Sequence, residues 1–418
     1  MSRLLAVLLL ISSTAPASSH DWPQFRGPKR DAVSTETGLL KEWPKGGPPI
    51  LWKQKGLGGG YSTPSVAGGR IYGMSFQGED EVVWARDEAT GDSRWTTRIA
   101  AKSRLDRGEG PRSTPTLDDG RVYAVGVQGD LACLDASTGK LIWSKNYKRD
   151  FRGRMMSGWG YSESVLVDGD KVIGTPGGDN AALAAFDKKT GRVIWTARVP
   201  DAGGSGYASV MPAEVGGIRM YITWLQSKLV GVSAKDGELL WENARPANRV
   251  ANIPSVIVKG DLVFASTGYQ AGTTLLKLHA AGSKLTAEEV YDLPGTQVQN
   301  HHGGMVLVGD HVYLGHGHNA GRPMCVELAT GKVVWKADRP VASGSAGVVY
   351  ADGNIVFRHQ EGKVALVEAT PAGYMLHGSF DQPDRSKANA WSHPVIANGK
   401  LYLRDQDVLI CYDIRKTS

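Results

Sequence analysis

Residues 131–143 read Leu-Ala-Cys-Leu-Asp-Ala-Ser-Thr-Gly-Lys-Leu-Ile-Trp, and this stretch decides the fold because its second half recurs along the chain. A Thr-Gly or Asp-Gly pair is followed four residues later by Trp in five copies: Gly91 and Trp95, Gly139 and Trp143, Gly191 and Trp195, Gly237 and Trp241, and Gly331 and Trp335. In step with it, a Gly- or Asp-containing turn precedes an apolar pair eight times, at spacings of 42 to 51 residues. These pairs end at Tyr72, Tyr123, Ile173, Tyr221, Val263, Tyr313, Val356 and Tyr402. A period of this size indicates a repeat architecture.

Each repeat contains four short apolar runs separated by turns. In the copy from Arg112 to Tyr147, the runs are rich in β-branched and aromatic residues, and Asp-Gly, Gly-Asp and Thr-Gly lie between them. Such runs are strands joined by hairpins, labelled A to D. A four-stranded unit of about 40–45 residues is one blade of a β-propeller. The strand D Trp is expected to pack between neighbouring blades. Little helix is expected, because no long 3.6-residue apolar period occurs.

The last repeat is incomplete, since no strand D follows residues 409–413. A lone strand, Pro49-Ile-Leu-Trp-Lys53, stands before the first full repeat and carries a Trp. We therefore predict an all-β, eight-bladed propeller of four-stranded antiparallel blades, closed by the N-terminal strand at residues 49–54. Closure removes exposed sheet edges. Seven blades with an unrelated tail would leave Trp52 unexplained.

The N-terminus predicts export. Met1 to Arg3 is a short basic start, Leu4 to Ile11 a brief apolar run and Ala15-Pro-Ala17 a cleavage signal. The predicted organisation is a signal peptide at 1–17, an N-terminal extension at 18–48 and a propeller at 49–418. The apolar run is too short to span a bilayer, and no Cys follows it to carry a lipid anchor. We expect a periplasmic or secreted monomer with no membrane span.

Charge and cysteines restrict the function classes. The formal net charge is +6 and the pI about 9, which permits weak attraction to anionic polymers. No nucleic-acid motif is present, and no nucleic-acid partner is expected. Cys133, Cys325 and Cys411 occupy one slot of strand C in different repeats, where a small apolar residue suffices. We predict three free, buried thiols.

Propellers bind ligands at one end of the central channel, built by the residues before strand A and after strand B. Counting from the repeated apolar pairs places polar and aromatic side chains there. The candidate ligand-binding residues are Tyr61, Arg112, Glu163, Asn252, His302, His316, His318, His359, Trp391 and His393. The loop 145–161, which mixes basic and aromatic residues, suits an anionic glycan or a peptide.

Two metal hypotheses follow from these candidates. His302, His316 and His318 belong to one blade, and imidazoles are common metal ligands, so Zn²⁺ or Cu²⁺ is one reading. Glu163 and Asn252 offer the oxygen ligands that Ca²⁺ takes. The alternative is that all of these side chains are ordinary loop residues without a metal.

The stretch 131–143 resembles the repeat of pyrroloquinoline quinone (PQQ) propellers. The chain is similar to secreted bacterial PQQ-binding-like propellers in the segments Trp22-Pro-Gln-Phe-Arg-Gly-Pro28, Trp159-Gly-Tyr161, Thr175-Pro-Gly-Gly178, Gln299-Asn-His-His-Gly-Gly304 and Arg404-Asp-Gln-Asp407. Resemblance to quinoprotein alcohol dehydrogenases implies PQQ and Ca²⁺ over the channel. Resemblance to the propeller lipoprotein of the outer-membrane β-barrel assembly machinery implies no cofactor.

Two functions remain open because a fold does not fix function. The favoured one is a non-catalytic binding or scaffold propeller of the cell envelope, whose partner is a protein, a glycan or a small molecule. The alternative is a PQQ-dependent oxidoreductase acting on alcohols or sugars.

Overall fold

The computed structural model describes residues 20–282 and 284–416, and within them the strands form eight four-stranded antiparallel sheets. Each sheet is one blade, and the eight-bladed propeller predicted from the repeat is confirmed. Leu4 to Ile11 and the predicted cleavage signal lie outside the described residues. Within the described part, no helix has the length and apolar content needed to cross a bilayer. The helix α1 (Tyr147–Phe151) has five residues.

The strands follow the chain around the ring in order. Blade 1 is β2 (Ser65–Ala67), β3 (Arg70–Gln77), β4 (Asp80–Asp87) and β5 (Ser93–Ala101); blade 2 is β6 (Thr116–Asp118), β7 (Arg121–Val125), β8 (Asp130–Asp135) and β9 (Leu141–Asn146); blade 3 is β10 (Leu166–Asp168), β11 (Lys171–Gly174), β12 (Leu183–Asp187) and β13 (Val193–Ala197); blade 4 is β14 (Met211–Val215), β15 (Ile218–Trp224), β16 (Leu229–Ser233) and β17 (Leu239–Asn243). Blade 5 is β18 (Ile257–Lys259), β19 (Leu262–Thr267), β20 (Gly272–Ala281) and β21 (Lys284–Leu293); blade 6 is β22 (Asn300–Val308), β23 (His311–His316), β24 (Arg322–Glu327) and β25 (Val333–Lys336); blade 7 is β26 (Ala346–Ala351), β27 (Asn354–His359), β28 (Lys363–Glu368) and β29 (Leu376–Asp381); blade 8 is β30 (Val395–Ala397), β31 (Lys400–Asp405), β32 (Val408–Asp413) and β1 (Ile50–Gln54).

The hairpin turns explain the recurring Gly and Asp. Between β6 and β7, Asp119 and Gly120 have φ values of 48° and 69°, the left-handed pair that a two-residue hairpin turn requires. Between β8 and β9, the Asp135 carboxylate accepts hydrogen bonds from the main-chain N–H groups of Ser137 (3.0 Å) and Thr138 (2.8 Å). Side-chain oxygens that bond the backbone two or three residues ahead fix such turns.

The recurring Trp packs against the blade that follows its own. Trp143 on β9 is 8% exposed, and its indole N–H donates to the Lys188 carbonyl in the C–D turn of blade 3 (3.1 Å). The Tyr123 hydroxyl on β7 donates to the same carbonyl (3.0 Å). Trp95 of blade 1 makes the equivalent bond to Ala136 of blade 2 (3.1 Å). The predicted position of the Trp between blades is therefore the one observed.

The Gly and the Trp of the repeated phrase belong to different contacts. A Cβ on Gly191, whose φ is +70°, would lie 2.7 Å from the ring of Trp143 in the preceding blade. Gly139 faces Trp95 in the same way, at 2.6 Å. Gly139 and Gly191 therefore each make room for the Trp of the blade before them, while the Trp of their own repeat reaches the blade after them.

The N-terminal strand closes the ring as predicted. Strand β1 pairs antiparallel with β32, with Trp52 opposite Cys411. The Trp52 indole N–H donates to the Glu88 carbonyl of blade 1 (3.2 Å), and the Tyr402 hydroxyl donates to the Glu88 carboxylate (3.1 Å). The last seam thus repeats the contact made by the continuous blades.

The chain before β1 lies across the end of the channel formed by the A–B turns. We call residues 20–34 the plug. Trp22 exchanges two main-chain hydrogen bonds with Val66 of blade 1 (2.7 and 2.9 Å), and the Pro23 carbonyl accepts from Leu117 of blade 2 (2.8 Å). Arg30 donates to the Ser164 carbonyl of blade 3 (2.6 Å).

The plug also reaches the opposite side of the ring. Arg26 donates to the Met305 carbonyl of blade 6, and the Ala32 carbonyl accepts from Tyr350 of blade 7 (2.9 Å). Blades 2 and 3 stand opposite blades 6 and 7 in an eight-membered ring. The plug therefore crosses the channel axis, and the described part of the predicted N-terminal extension is packed into the propeller.

The three cysteines lie in the predicted slot. Cys133 on β8, Cys325 on β24 and Cys411 on β32 each occupy strand C of their blade, and all three are buried free thiols. Burial raises the pKa of each thiol, to about 11 for Cys133 and Cys325 and to about 12 for Cys411. They act as small apolar residues of the core.

The Gly–Trp contact predicts the effect of a single methyl group. We expect Gly191→Ala to lower the free energy of unfolding by about 1–3 kcal/mol more than Gly169→Ala, because only the former adds a methyl group against a packed ring. Gly169 is a matched control: its φ is +62°, it lies in the same blade, and a Cβ there meets nothing within 4 Å. Urea unfolding of both variants measures the difference, and equal losses would contradict the role of the contact.

Candidate functional site

The channel mouth holds a cavity of about 790 Å³, which we call the cup. Its wall is built by residues that precede strand A, such as Tyr61 and Trp391, and by residues of the B–C loops, such as Tyr269 and His318. Its floor is Phe25 and Arg26 of the plug. The cup is therefore blind, because the plug separates it from the other end of the channel.

Six of the ten predicted residues line the cup: Tyr61, Arg112, His302, His318, Trp391 and His393. Several of them contact one another. The rings of Tyr61 and Trp391 lie 4.9 Å apart between centroids, as do those of His302 and Trp391. The Arg112 guanidinium lies over Tyr61, 5.5 Å from the ring centroid. Counting from the repeat therefore placed these side chains at the mouth.

Glu163 and Asn252 are buried behind the cup wall. The Glu163 carboxylate accepts from the main-chain N–H of Thr175 (2.7 Å), and burial raises its pKa. The Asn252 side chain donates to the carbonyls of Leu225 (3.1 Å) and Gln226 (3.0 Å). These groups fix loop backbone, and neither lines the cup.

His316 and His359 are also turned away from the cup. The His316 Nδ1 accepts from the main-chain N–H of Gln299 (3.3 Å), and the His359 Nδ1 lies 3.3 Å from the Gly344 carbonyl oxygen. The predicted metal trio is thus divided, since His302 and His318 line the cup without His316. In residues 20–282 and 284–416, no three His, Cys, Asp or Glu side chains are grouped as a metal ion would require.

A bulge brings a fourth histidine, His301, into the cup. Asn300 pairs with His316 and Met305 with Leu314, so four residues of β22 stand opposite one residue of β23. The extra residues project at the mouth, as bulges near binding sites do. The ring centroid of His301 lies 4.1 Å from that of His302 and 3.9 Å from that of His318. These three form the histidine cluster.

Burial keeps the imidazoles of the cup uncharged at neutral pH. It lowers the pKa of His301 to about 3 and that of His302 well below its usual value, and neighbouring imidazoles add to both shifts. Burial, reinforced by the Arg26 charge, lowers the pKa of His393 to about 4. An uncharged imidazole offers one N–H donor and one nitrogen acceptor.

The charge of the cup comes from basic residues. Arg107, Arg112 and Lys387 line the wall and rim, and Glu361 is the carboxylate among the lining residues. Arg26 is the buried cation of the floor, 4% exposed. Burial lowers the pKa of Arg26 to about 10, so the guanidinium is still protonated at pH 7.

Several residues of the cup were not among the sequence candidates: Arg26, Arg107, Tyr207, Tyr269 and Lys387. Trp159 lies in the loop 145–161 that the sequence did single out. Trp159 stacks on Tyr207 with 5.6 Å between centroids, and Tyr269 packs 4.2 Å from His318. Most lie in loops of irregular length, where counting from strand landmarks gives no register. Arg26 reaches the cup from outside the repeats, and only the segment 22–28 quoted for the resemblance pointed to it.

The histidine pKa values predict instability in acid. A group with a lowered pKa binds fewer protons when folded, so its contribution to stability is complete above its usual value of 6.5 and is lost as the pH falls toward the folded value. We expect His301→Asn to weaken the fall in stability between pH 6 and 4 by up to about 1.4 kcal/mol per pH unit. The exposed His279 on β20, replaced by Asn, is the control, and thermal unfolding against pH is the measurement. Identical pH profiles for wild type and His301→Asn would contradict the assignment.

Comparison with known proteins agrees with this architecture. The family described as outer membrane protein assembly factor BamB (PQQ_2) matches residues 80–337. The BamB of Nitrosomonas eutropha is 27% identical over 240 residues, which is 56% of this chain and 53% of that protein. The chain thus spans about half the length of this relative in the alignment.

Two solved structures share the fold. BamB of Moraxella catarrhalis superposes with a TM-score of 0.55 at 13% identity, covering 82% of this chain and 94% of that one. A quinohemoprotein alcohol dehydrogenase of Pseudomonas putida HK5 gives 0.64 at 14% identity, covering 96% and 81%. The family match runs from β4 of blade 1 to the end of blade 6, more than half of the sequence. The chain therefore belongs to the PQQ-repeat propeller family described by the outer membrane protein assembly factor BamB.

Proposed function

We propose that the protein is an exported, non-catalytic binding propeller of the cell envelope that holds a ligand in the cup. The observation that carries the proposal is the blind cavity lined by aromatic rings, uncharged imidazoles and a buried guanidinium. Rigid aromatic surfaces with a few polar groups are typical of binding pockets.

A scaffold role in the envelope is supported by the family. The N. eutropha relative is named an outer membrane protein assembly factor. The molecule that binds in the cup is a protein segment, a glycan or a small molecule. Presentation by loops on a closed ring suits each of them, because the ring holds the loops while leaving their sequence free to vary.

Removal of a wall residue tests the binding role. We expect native mass spectrometry of protein purified from the envelope fraction to show a bound ligand that Trp391→Ala loses, because this ring contacts both Tyr61 and His302. Ile142→Ala, on the exposed strand D of blade 2, is the control and keeps the ligand. If wild-type protein carried no ligand, or if Trp391→Ala retained the ligand equally, ligand binding in the cup would be contradicted.

The alternative is a PQQ- and Ca²⁺-dependent oxidoreductase, favoured by a cavity on the channel axis of a dehydrogenase-like fold. The cations and rings of the cup suit a planar anionic group. The calcium ion fits poorly, since it takes six to eight oxygen ligands. Glu361 is the carboxylate among the lining residues, while Glu163 and Asn252 bond the backbone elsewhere. The donor set of the cup therefore does not match a calcium quinoprotein.

A reconstitution separates the two functions. We expect protein incubated with PQQ and Ca²⁺ to show no calcium-dependent gain in PQQ binding and no reduction of a dye with ethanol or glucose. Absorbance of the washed protein and the dye assay are the measurements, with apoenzyme of a known quinoprotein dehydrogenase as the positive control. A calcium-dependent chromophore with alcohol-dependent dye reduction would establish the alternative.

A further inference from the structure

We propose that the ligand held in the cup is an acidic sugar: a pyranose whose carboxylate binds the Arg26 guanidinium at the floor. This inference rests on the proposed binding function and names its ligand class. The plug, rather than the repeats, supplies the group that selects the ligand.

The Arg26 side chain is held by backbone and leaves one nitrogen free. Its Nε donates to the Arg30 carbonyl (3.2 Å), and its Nη2 donates to the carbonyls of Asp31 (3.3 Å) and Met305. Among the described residues, Nη1 has no hydrogen-bond partner although the side chain is 4% exposed. A buried charged donor without a partner is costly, so an anion at this nitrogen would restore a strong hydrogen bond.

Two further unpartnered atoms belong to residues that line the cup. His302 Nε2 and His393 Nδ1 are buried in the cup without a hydrogen-bond partner in the described chain. A Cβ on Gly304 would lie 2.3 Å from Arg26 Nη1 and 3.3 Å from His393 Cε1, so the absence of a side chain here makes room for the guanidinium beside the imidazole. The two imidazoles can donate to, or accept from, a group seated on Arg26.

The wall favours a sugar over an aromatic acid. Alongside its rings, the cup is lined by uncharged hydrogen-bonding side chains: Thr63, Ser162, Ser209, Ser255, Asn319 and Gln360. The apolar face of a pyranose packs on aromatic rings, and its hydroxyl groups need donors and acceptors around the edge. The hydroxyl groups of a sugar can also pair His302 Nε2 and His393 Nδ1, which the ring of an aromatic acid would leave unpaired.

The charge of the floor favours a carboxylate over a phosphate. Arg26 is the buried cation among the lining residues and offers one free nitrogen. Arg112 in the wall is half-buried and donates to the Trp159 carbonyl (2.8 Å), and Arg107 and Lys387 are exposed at the rim. One buried positive charge balances the single charge of a carboxylate. A phosphate would bring a charge nearer two into the same desolvated position.

Titration of the full-length protein tests the ligand class. The probes are galacturonate, galactose, galactose 6-phosphate and benzoate, followed by calorimetry and by the fluorescence of the cup tryptophans. We expect galacturonate to bind about tenfold or more tightly than galactose, the range for a hydrogen bond to a charged group. Arg26→Gln is expected to abolish this preference, Arg26→Lys to restore it in part, and Arg107→Gln at the rim to change affinity by less than about threefold.

The outcomes are distinct. Equal affinity for galactose and galacturonate, tighter binding of galactose 6-phosphate or of benzoate, or binding of none of the four would each overturn the acidic-sugar assignment. The proposed binding function is tested separately by native mass spectrometry: a bound ligand that Trp391→Ala loses would support it, and ligand-free wild-type protein would contradict it. If Arg26→Gln does not fold, the comparison of the four probes on wild-type protein decides the matter without a variant.

Discussion

The structure depends on the packing of a strand D Trp against the C–D turn of the next blade. At two seams a main-chain carbonyl in that turn receives both the indole N–H and a Tyr hydroxyl of the preceding blade: Lys188 from Trp143 and Tyr123, and Ala136 from Trp95 and Tyr72. The same turn has a Gly where a side chain would strike the indole. Because two large rings are buried and two donors satisfied at one point, the contact fixes the angle between blades and hence the number that closes the ring.

The plug closes one end of the central channel, so that the other end becomes a cavity. A propeller alone leaves a channel open at both ends, and the mouth loops would surround solvent. Crossing from Val66 and Leu117 to Met305 and Tyr350 places Phe25 and Arg26 at the floor of the cup. The repeats therefore supply the wall of the cup with its histidine cluster, and the segment outside the repeats supplies the floor and its buried cation.

The repeat in the sequence predicted the positions of side chains that recur with the strands. It did not predict side chains whose positions depend on local hydrogen bonds, bulges or the plug. Tyr61, Arg112, His302, His318 and Trp391 were found because each stands at a fixed distance from a repeated apolar pair. His316 also stands at such a distance, and Glu163 is one residue away from one, yet hydrogen bonds from Gln299 and Thr175 turn them into the blades, and such bonds leave no periodic signal. The bulge after Asn300 changes the register locally and brings His301 into the cup. Seams around blade 5 vary too: Gly331 faces Tyr291 instead of a Trp.

Closure of the ring by β1 has a consequence for when the cup exists. Its floor is made near the beginning of the chain, and Trp391 and His393 near the end, so no partial product of synthesis contains both. Molecules that occupy the finished cup favour the fastened ring over any form with blade 8 open, by mass action. Ligand binding in the cup and the pairing of β1 with β32 are therefore thermodynamically coupled. A ligand that binds only the closed ring would stabilise this pairing, and loss of the pairing would release the ligand.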